Sequence, residues 1–278
     1  MTRGNRGVGY TRHMDDTLKK GIYEAQVPNI NFLYQHSTTR NPEYHLGDRV
    51  CLPDGRVFRY GKAGVALDSM KRGVKNWNLL VTELDAIAGA ASIGDSSIEI
   101  TFADTDGVAG DGVIAEDELR GGYISIYASS ANRPQRQIVG NDARANGDTG
   151  TTTVWFDAEL DVAVTAASNC EVLANPYSDL RDNNNTHTSV MGMPLVDAAV
   201  NEYFWIQTWG PCRISPTAAE LGDSADTRMF VFDANGSLRS VDAMDALDNS
   251  EQVAGFVIER TDGDAGSAAP FINLQINP

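Results

Sequence analysis

The stretch Tyr203-Phe204-Trp205-Ile206-Gln207-Thr208-Trp209-Gly210-Pro211-Cys212 decides the fold class of this chain. Four of its first seven residues are aromatic, and aromatic and β-branched side chains suit a pleated, half-buried surface. Alternation places Tyr203, Trp205, Gln207 and Trp209 on one face and Phe204, Ile206 and Thr208 on the other. Both faces carry large apolar groups, so the segment predicts a central strand covered on both sides. Pro211 has no N–H to give to a ladder, and the strand is expected to stop at Gly210-Pro211.

The same grammar recurs on either side. Leu46–Leu52 and Arg56–Tyr60 flank Pro53-Asp54-Gly55, a hairpin signal. Strand candidates follow at Ser97–Phe102, Gly122–Tyr127, Arg136–Val139, Thr152–Phe156, Cys170–Leu173 and Arg228–Phe232. Asp233–Leu238 reads as a turn into a further strand, and Val253–Glu259 and Pro270–Ile276 close the chain. Leu79–Ala88 fits either a short helix or a strand. Many short strands divided by Gly, Asp and Asn, with no long crossover helix, predict a mainly β protein. The expected architecture is an antiparallel β-barrel or sandwich with an extended N-terminal arm and few short helices. No repeat of fixed period is visible.

Residues 1–45 stand apart as the arm. Met1–Arg12 is glycine-rich and carries Arg3, Arg6 and Arg12 with no acid, in a chain of net charge −16. Arginine guanidinium groups suit carboxylate partners, so Arg3, Arg6, Tyr10 and Arg12 are the expected contacts of an arm that orders on a partner. The competing reading is a frayed terminus. Residues 46–278 form the β-rich body, with a break expected near 145–150 in Asn146-Gly147-Asp148-Thr149-Gly150.

The acid excess, 38 Asp and Glu against 22 Lys and Arg, favours solubility and argues against nucleic acid as a partner. No apolar run is long enough to span a bilayer, and no signal peptide is read at the N-terminus. Cys51, Cys170 and Cys212 are odd in number and far apart, which fits buried thiols from a reducing cytosol and no metal site. His13, His36, His45 and His187 are scattered and fit structural roles. The acidic run from Asp104 to Glu118 resembles the second half of an EF-hand loop. Its first half fails, because Gly107 and Ala109 would occupy ligand positions one and three. An acidic, solvated loop is the simpler reading. Asn183–Thr188 reads as an exposed polar loop. Nucleophile elbows and phosphate loops are missing from the sequence, and no catalytic residue or cofactor is expected.

Several landmarks together resemble tailed-phage virion proteins that decorate or cement the head. They are Asp54-Gly55-Arg56-Val57-Phe58-Arg59-Tyr60-Gly61-Lys62-Ala63-Gly64, Glu118-Leu119-Arg120-Gly121-Gly122-Tyr123-Ile124, Asn175-Pro176-Tyr177-Ser178 and Gly192-Met193-Pro194-Leu195-Val196, then the 203–212 stretch, Val253–Ile258 and Leu274-Gln275-Ile276. The resemblance implies a non-enzymatic structural protein made in the host cytoplasm and carried on the capsid surface. Its partners would be the major capsid protein and further copies of itself, as a homotrimer or other homo-oligomer. It transfers no catalytic residues. Two other classes compete. A glycan-binding adhesin or tail-fibre-like module would show exposed Trp or Tyr in a shallow groove, whereas Trp155, Trp205 and Trp209 are expected to be buried in strands. A polysaccharide-degrading enzyme would need converging carboxylates. A major capsid subunit usually has a long spine helix, and the sequence shows none.

Overall fold

The computed structural model describes residues 30–77, 80–128, 133–147, 151–182, 188–214, 228–241, 251–259 and 270–278. The chain parts into two units: 1–77 joined with 179–278, and 78–178 inserted between them. The division therefore does not fall at 145–150. Those residues lie in the connection between two neighbouring strands of the inserted unit, and the chain crosses between units at 77/78 and 178/179 instead.

The strands, in chain order, are β1 (His36–Ser37), β2 (Arg49–Cys51), β3 (Val57–Lys62), β4 (Val74–Asn76), β5 (Leu80–Ala86), β6 (Ser97–Ile100), β7 (Tyr123–Tyr127), β8 (Gln135–Asn141) and β9 (Thr152–Phe156). They continue with β10 (Asn169–Leu173), β11 (Leu180–Arg181), β12 (Val190–Pro194), β13 (Tyr203–Arg213), β14 (Met229–Phe232), β15 (Leu238–Ser240), β16 (Gln252–Glu259) and β17 (Phe271–Gln275). The one helical element among the described residues is a 3-10 turn, Asn31–Tyr34. The protein is thus mainly β and antiparallel. Leu80–Ala86, which fitted helix or strand, is a strand because it pairs with β10.

In the first unit β13 is the organising strand. It pairs with β1, β3, β12 and β17, and Phe204, Trp205, Ile206, Gln207 and Thr208 are all buried. The strand does not end at Gly210-Pro211 but runs on to Arg213. Gly210 takes φ +88°, a left-handed conformation open to glycine, and Pro211 lies beyond the last β3 partner, Trp209↔Val57, while staying in register with Asn273 of β17. The buried Gln207 amide donates to the carbonyls of Trp209, Gly210 and Pro211 at 3.1, 3.3 and 2.8 Å. Leu33, Val50, Phe58, Tyr60 and Trp205 form one core beside it, and Cys212, Phe230, Phe232, Leu238, Ile272 and Leu274 form another. Beyond β17 the sheet continues through β16, β14 and β15, then curls until Ser237 bridges Arg72, just ahead of β4.

The inserted unit is a six-stranded antiparallel sheet in the order β5-β10-β7-β8-β9-β6. Its outer strands also meet. Ile87 bridges Ile100, Ala88 N–H donates to Glu99 at 2.8 Å, and Thr101 N–H donates to Ala86 at 3.2 Å. The sheet therefore closes on itself at this end into a barrel, which shortens its open edges. β7, β8 and β9 run as a meander and β10 returns beside β7, a Greek-key order. Ile98, Ile100, Ile124, Ile126, Ile138, Val154, Phe156 and Val172 fill the interior.

A recurring turn feeds the strands of both units. In 45–48, 92–95, 103–106, 115–118 and 199–202 the fourth residue is Asp or Glu, and its backbone N–H donates to the carbonyl of the first. Its carboxylate then accepts the N–H of that same first residue: His45 to Asp48 at 2.9 Å, Ser92 to Asp95 at 2.7 Å, Ala103 to Asp106 at 2.6 Å, Ala115 to Glu118 at 2.6 Å and Ala199 to Glu202 at 2.7 Å. In four of these turns the third residue, Gly47, Gly94, Asp117 or Asn201, has positive φ. Thr165–Ser168 uses a serine hydroxyl in the same place. Five of the chain's 38 acidic residues close turns in this way.

The barrel's core residues all belong to the inserted unit. Residues 78–178 excised from the chain should therefore unfold as one cooperative transition in urea, and Ile124→Ala should cost the fragment about 2–5 kcal/mol. A fragment without a sigmoidal transition would contradict this.

Candidate functional site

The expected arm contacts Arg3, Arg6, Tyr10 and Arg12 lie outside the described residues. The structure describes the root from which that segment leaves. Residues 30–45, assigned by sequence to the arm, are built into the first unit. Leu33 is fully buried, and His36 and Ser37 pair with Phe204 and Tyr203 of β13. Around them is a cluster of rings. Phe32 meets Trp205 edge-on at 5.8 Å between ring centres and stacks on Tyr44 at 6.2 Å. Tyr44 lies 5.1 Å from Trp205 and 5.4 Å from Tyr60, and Tyr60 stacks on Tyr203 at 6.1 Å. Such pairs contribute roughly 0.5–1.5 kcal/mol each beyond burial.

Polar contacts lock the same root. Arg56 donates to the Tyr34 hydroxyl at 2.7 Å and to Asp54 at 2.8 Å. His36 Nδ1 lies 2.8 Å from Glu202 Oε2. Glu202 also accepts the Ala199 N–H, and that bond, with His36 second, holds its carboxyl below the usual range. Burial pushes the Tyr44 and Tyr60 phenols upward, so both remain neutral.

The acidic loop from Asp104 to Glu118 belongs to the barrel unit and is folded around Arg144. The Arg144 guanidinium is buried; it donates to the Gly112 carbonyl and, at 2.9 Å, to Asp104 Oδ1, which also accepts the Gly147 N–H at 3.0 Å. These donors, Arg144 first, hold the Asp104 carboxyl below its ordinary value. Asp106, Asp111 and Glu118 each accept a backbone N–H from their own turn. Among the described residues no group of three or more His, Cys, Asp or Glu is placed to hold a metal ion. The loop is a hydrogen-bonded structure centred on a cation that the protein itself supplies.

Sequence reading missed Asp85 at this loop. Its carboxyl is pushed up to about 6, first by burial and then by the Asp106 carboxyl beside it. Only the fold brings β5 against the loop, so spacing carried no signal. The thiols fit the buried reading for two of three: Cys170 and Cys212 are pushed up to about 12 by burial, while Cys51 is half-buried.

Two tryptophans depart from expectation. Trp155 is 38% exposed on the outside of the barrel, beside exposed Val139, with Gly140 as its cross-strand partner. The sequence carried this signal: Val154 and Phe156 fill the interior, so alternation turns Trp155 outward. Trp209 is half-buried rather than buried. Tyr123, also on the barrel exterior, is 45% exposed. Among the described residues no helix is long and apolar enough to cross a membrane. No family model, curated protein or solved structure matches the chain.

Asp85 supplies a pH prediction. A carboxyl whose folded pKa exceeds its unfolded value stabilises the fold when protonated; that contribution is complete below about pH 4 and is lost as pH rises through about 6. Asp104 acts oppositely and in a lower window, losing its contribution as pH falls below the ordinary carboxylate range. Calorimetry between pH 4.5 and about 7 isolates the first effect. Asp85→Asn should flatten the decline of the barrel's unfolding midpoint over that window, and parallel curves would refute the assignment.

Proposed function

We propose that this protein is a non-enzymatic virion structural protein that binds and stabilises a phage capsid, as a decoration, cement or minor capsid component, with its N-terminal segment contacting capsid subunits. The observation that carries the reading is the anchored root at residues 30–46. A basic, glycine-rich segment with Arg3, Arg6 and Arg12 is tied to an acidic body through Leu33, Phe32, Tyr44 and Trp205. Tension on such a segment would be transmitted into a packed core and not into a loose tail. An arm that orders on a neighbour can cover a large surface, and arginine forks suit carboxylates there. The landmarks that resemble those of head-decorating proteins support the same reading, as does a mainly β, antiparallel body. A homo-oligomer on the capsid surface, assembled from copies made in the host cytoplasm, completes the proposal.

Binding to purified heads lacking the protein tests it. The full chain should co-sediment with heads, and deletion of residues 2–20 should reduce occupancy at least tenfold while leaving the unfolding midpoint unchanged. Unchanged occupancy would remove the arm from the proposal.

A second reading, a glycan-binding module, is favoured by one observation: Trp155 and Tyr123 present rings on the barrel exterior. Sugars stack on such faces. If that reading holds, the intact protein binds a host-surface polysaccharide in solution and Trp155→Ala abolishes the binding; no retention on any glycan would exclude it.

A further inference from the structure

The outer face of β14, β16 and β17 carries exposed apolar side chains in more than one row. Pro211, Asn273, Phe256 and Met229 stand opposite one another across β13, β17, β16 and β14. One row further on, Arg213, Phe271 and Glu259 do the same across β13, β17 and β16. The row between them, through Cys212 and Ile272, points into the core, as does Leu274 on the other side of Asn273. Met229, Val253, Phe256, Ile258 and Phe271 are 40–51% exposed. Together they present roughly 400 Å² of apolar surface, about half of what each partner contributes to a standard interface.

Charge identifies the occupant. In a chain of net charge −16, β14 and β17 carry no charged residue and β16 carries only Glu259. Interface cores are depleted of charge in this way. The row through Phe271 adds one base and one acid, Arg213 and Glu259, on opposite sides of β17. Both are exposed, and neither has an ion-pair partner among the described residues. Arg213 and Glu259 stand about 10 Å apart, two strand spacings. That arrangement is complementary to itself under a two-fold rotation about an axis along β17. The rotation lays Phe271 on Phe271 and sets Arg213 of each copy over Glu259 of the other. It also places Phe256 against Pro211 of the facing sheet.

We propose that a second copy of this chain docks on this face, forming an isologous dimer with two reciprocal Arg213–Glu259 pairs. Phe271 and Phe256 exclude water near the centre, and the charges fix which way the copies face. The inference stands on the first unit alone and does not require the capsid reading.

Light scattering and sedimentation of the full chain at micromolar concentration should give twice the 30.0 kDa of one copy. Phe256→Asp should weaken the dimer at least about tenfold, as should Arg213→Glu or Glu259→Arg alone. The double exchange Arg213→Glu with Glu259→Arg should restore the affinity to within about threefold, because it recreates the pairs with reversed sign. All three side chains changed lie on the exposed face, and circular dichroism with an unfolding midpoint checks that each variant folds. A chain that stays monomeric, a trimer, a dimer indifferent to the single exchanges, or a double exchange without rescue would each overturn the proposal. Head binding by a monomer would leave the capsid reading intact.

Discussion

A chain with almost no helix must reverse direction many times, and every reversal leaves backbone donors that no ladder can take. That constraint governs this protein. A buried or half-buried N–H without a partner costs on the order of 1–3 kcal/mol; the Ala199–Glu202 turn is half-buried, while in the four exposed turns the same bond chiefly fixes the geometry of the reversal. The recurring answer is a carboxylate at the fourth turn position, folded back on the first residue, as in Ser92–Asp95 and Ala199–Glu202. Acceptance by an ionised group makes these bonds stronger than neutral ones. The strong negative charge is thus in part the by-product of a β-only architecture, and a surface chosen solely for solubility need not be invoked for those residues.

Around these turns the two units solve the edge problem differently. The inserted barrel closes through Ile87 and Ile100. The first unit instead wraps its long β13 with four neighbours and curls its far strands toward Arg72. Closure leaves the barrel with outward side chains such as Trp155 and Tyr123 as its means of contact. The first unit offers a ring cluster at its chain entrance and an apolar sheet face. Each unit therefore has a surface of its own chemistry.

Much of the fold was legible in the sequence because strand alternation is a local signal. Thr152–Phe156 and Val253–Glu259 are strands within a residue of their expected ends. The misses have physical causes. Val74-Lys75-Asn76 carries no apolar pattern, yet it is buried, with the Lys75 ammonium donating to the Ala234 carbonyl and burial lowering its pKa. Gly210-Pro211 looked like a stop because the partner that carries the strand past it, β17, comes sixty residues later. The insertion was hidden because both units share one composition and one turn device. Candidate contacts were least legible: Arg144 meets Asp104, and Glu259 lines up with Arg213, only after the sheets have formed.

The chain leaves the first unit after β4 and returns at β11, and those two strands are partners. Leu180 pairs with Asn76, Trp77 N–H donates to Asp179 at 3.1 Å, and the Arg181 guanidinium lies 5.9 Å from the Trp77 ring centre. During synthesis the barrel is complete before any of β11–β17 exists, while β3 must wait for β13. A barrel that folds first turns a long flexible tether into a short one whose ends already meet, lowering the entropy needed to close the outer sheet. The insertion would then act as a folding clasp for the unit that surrounds it in sequence, and slowing its formation would delay the pairing of Tyr60 with Trp205 without changing a contact between them.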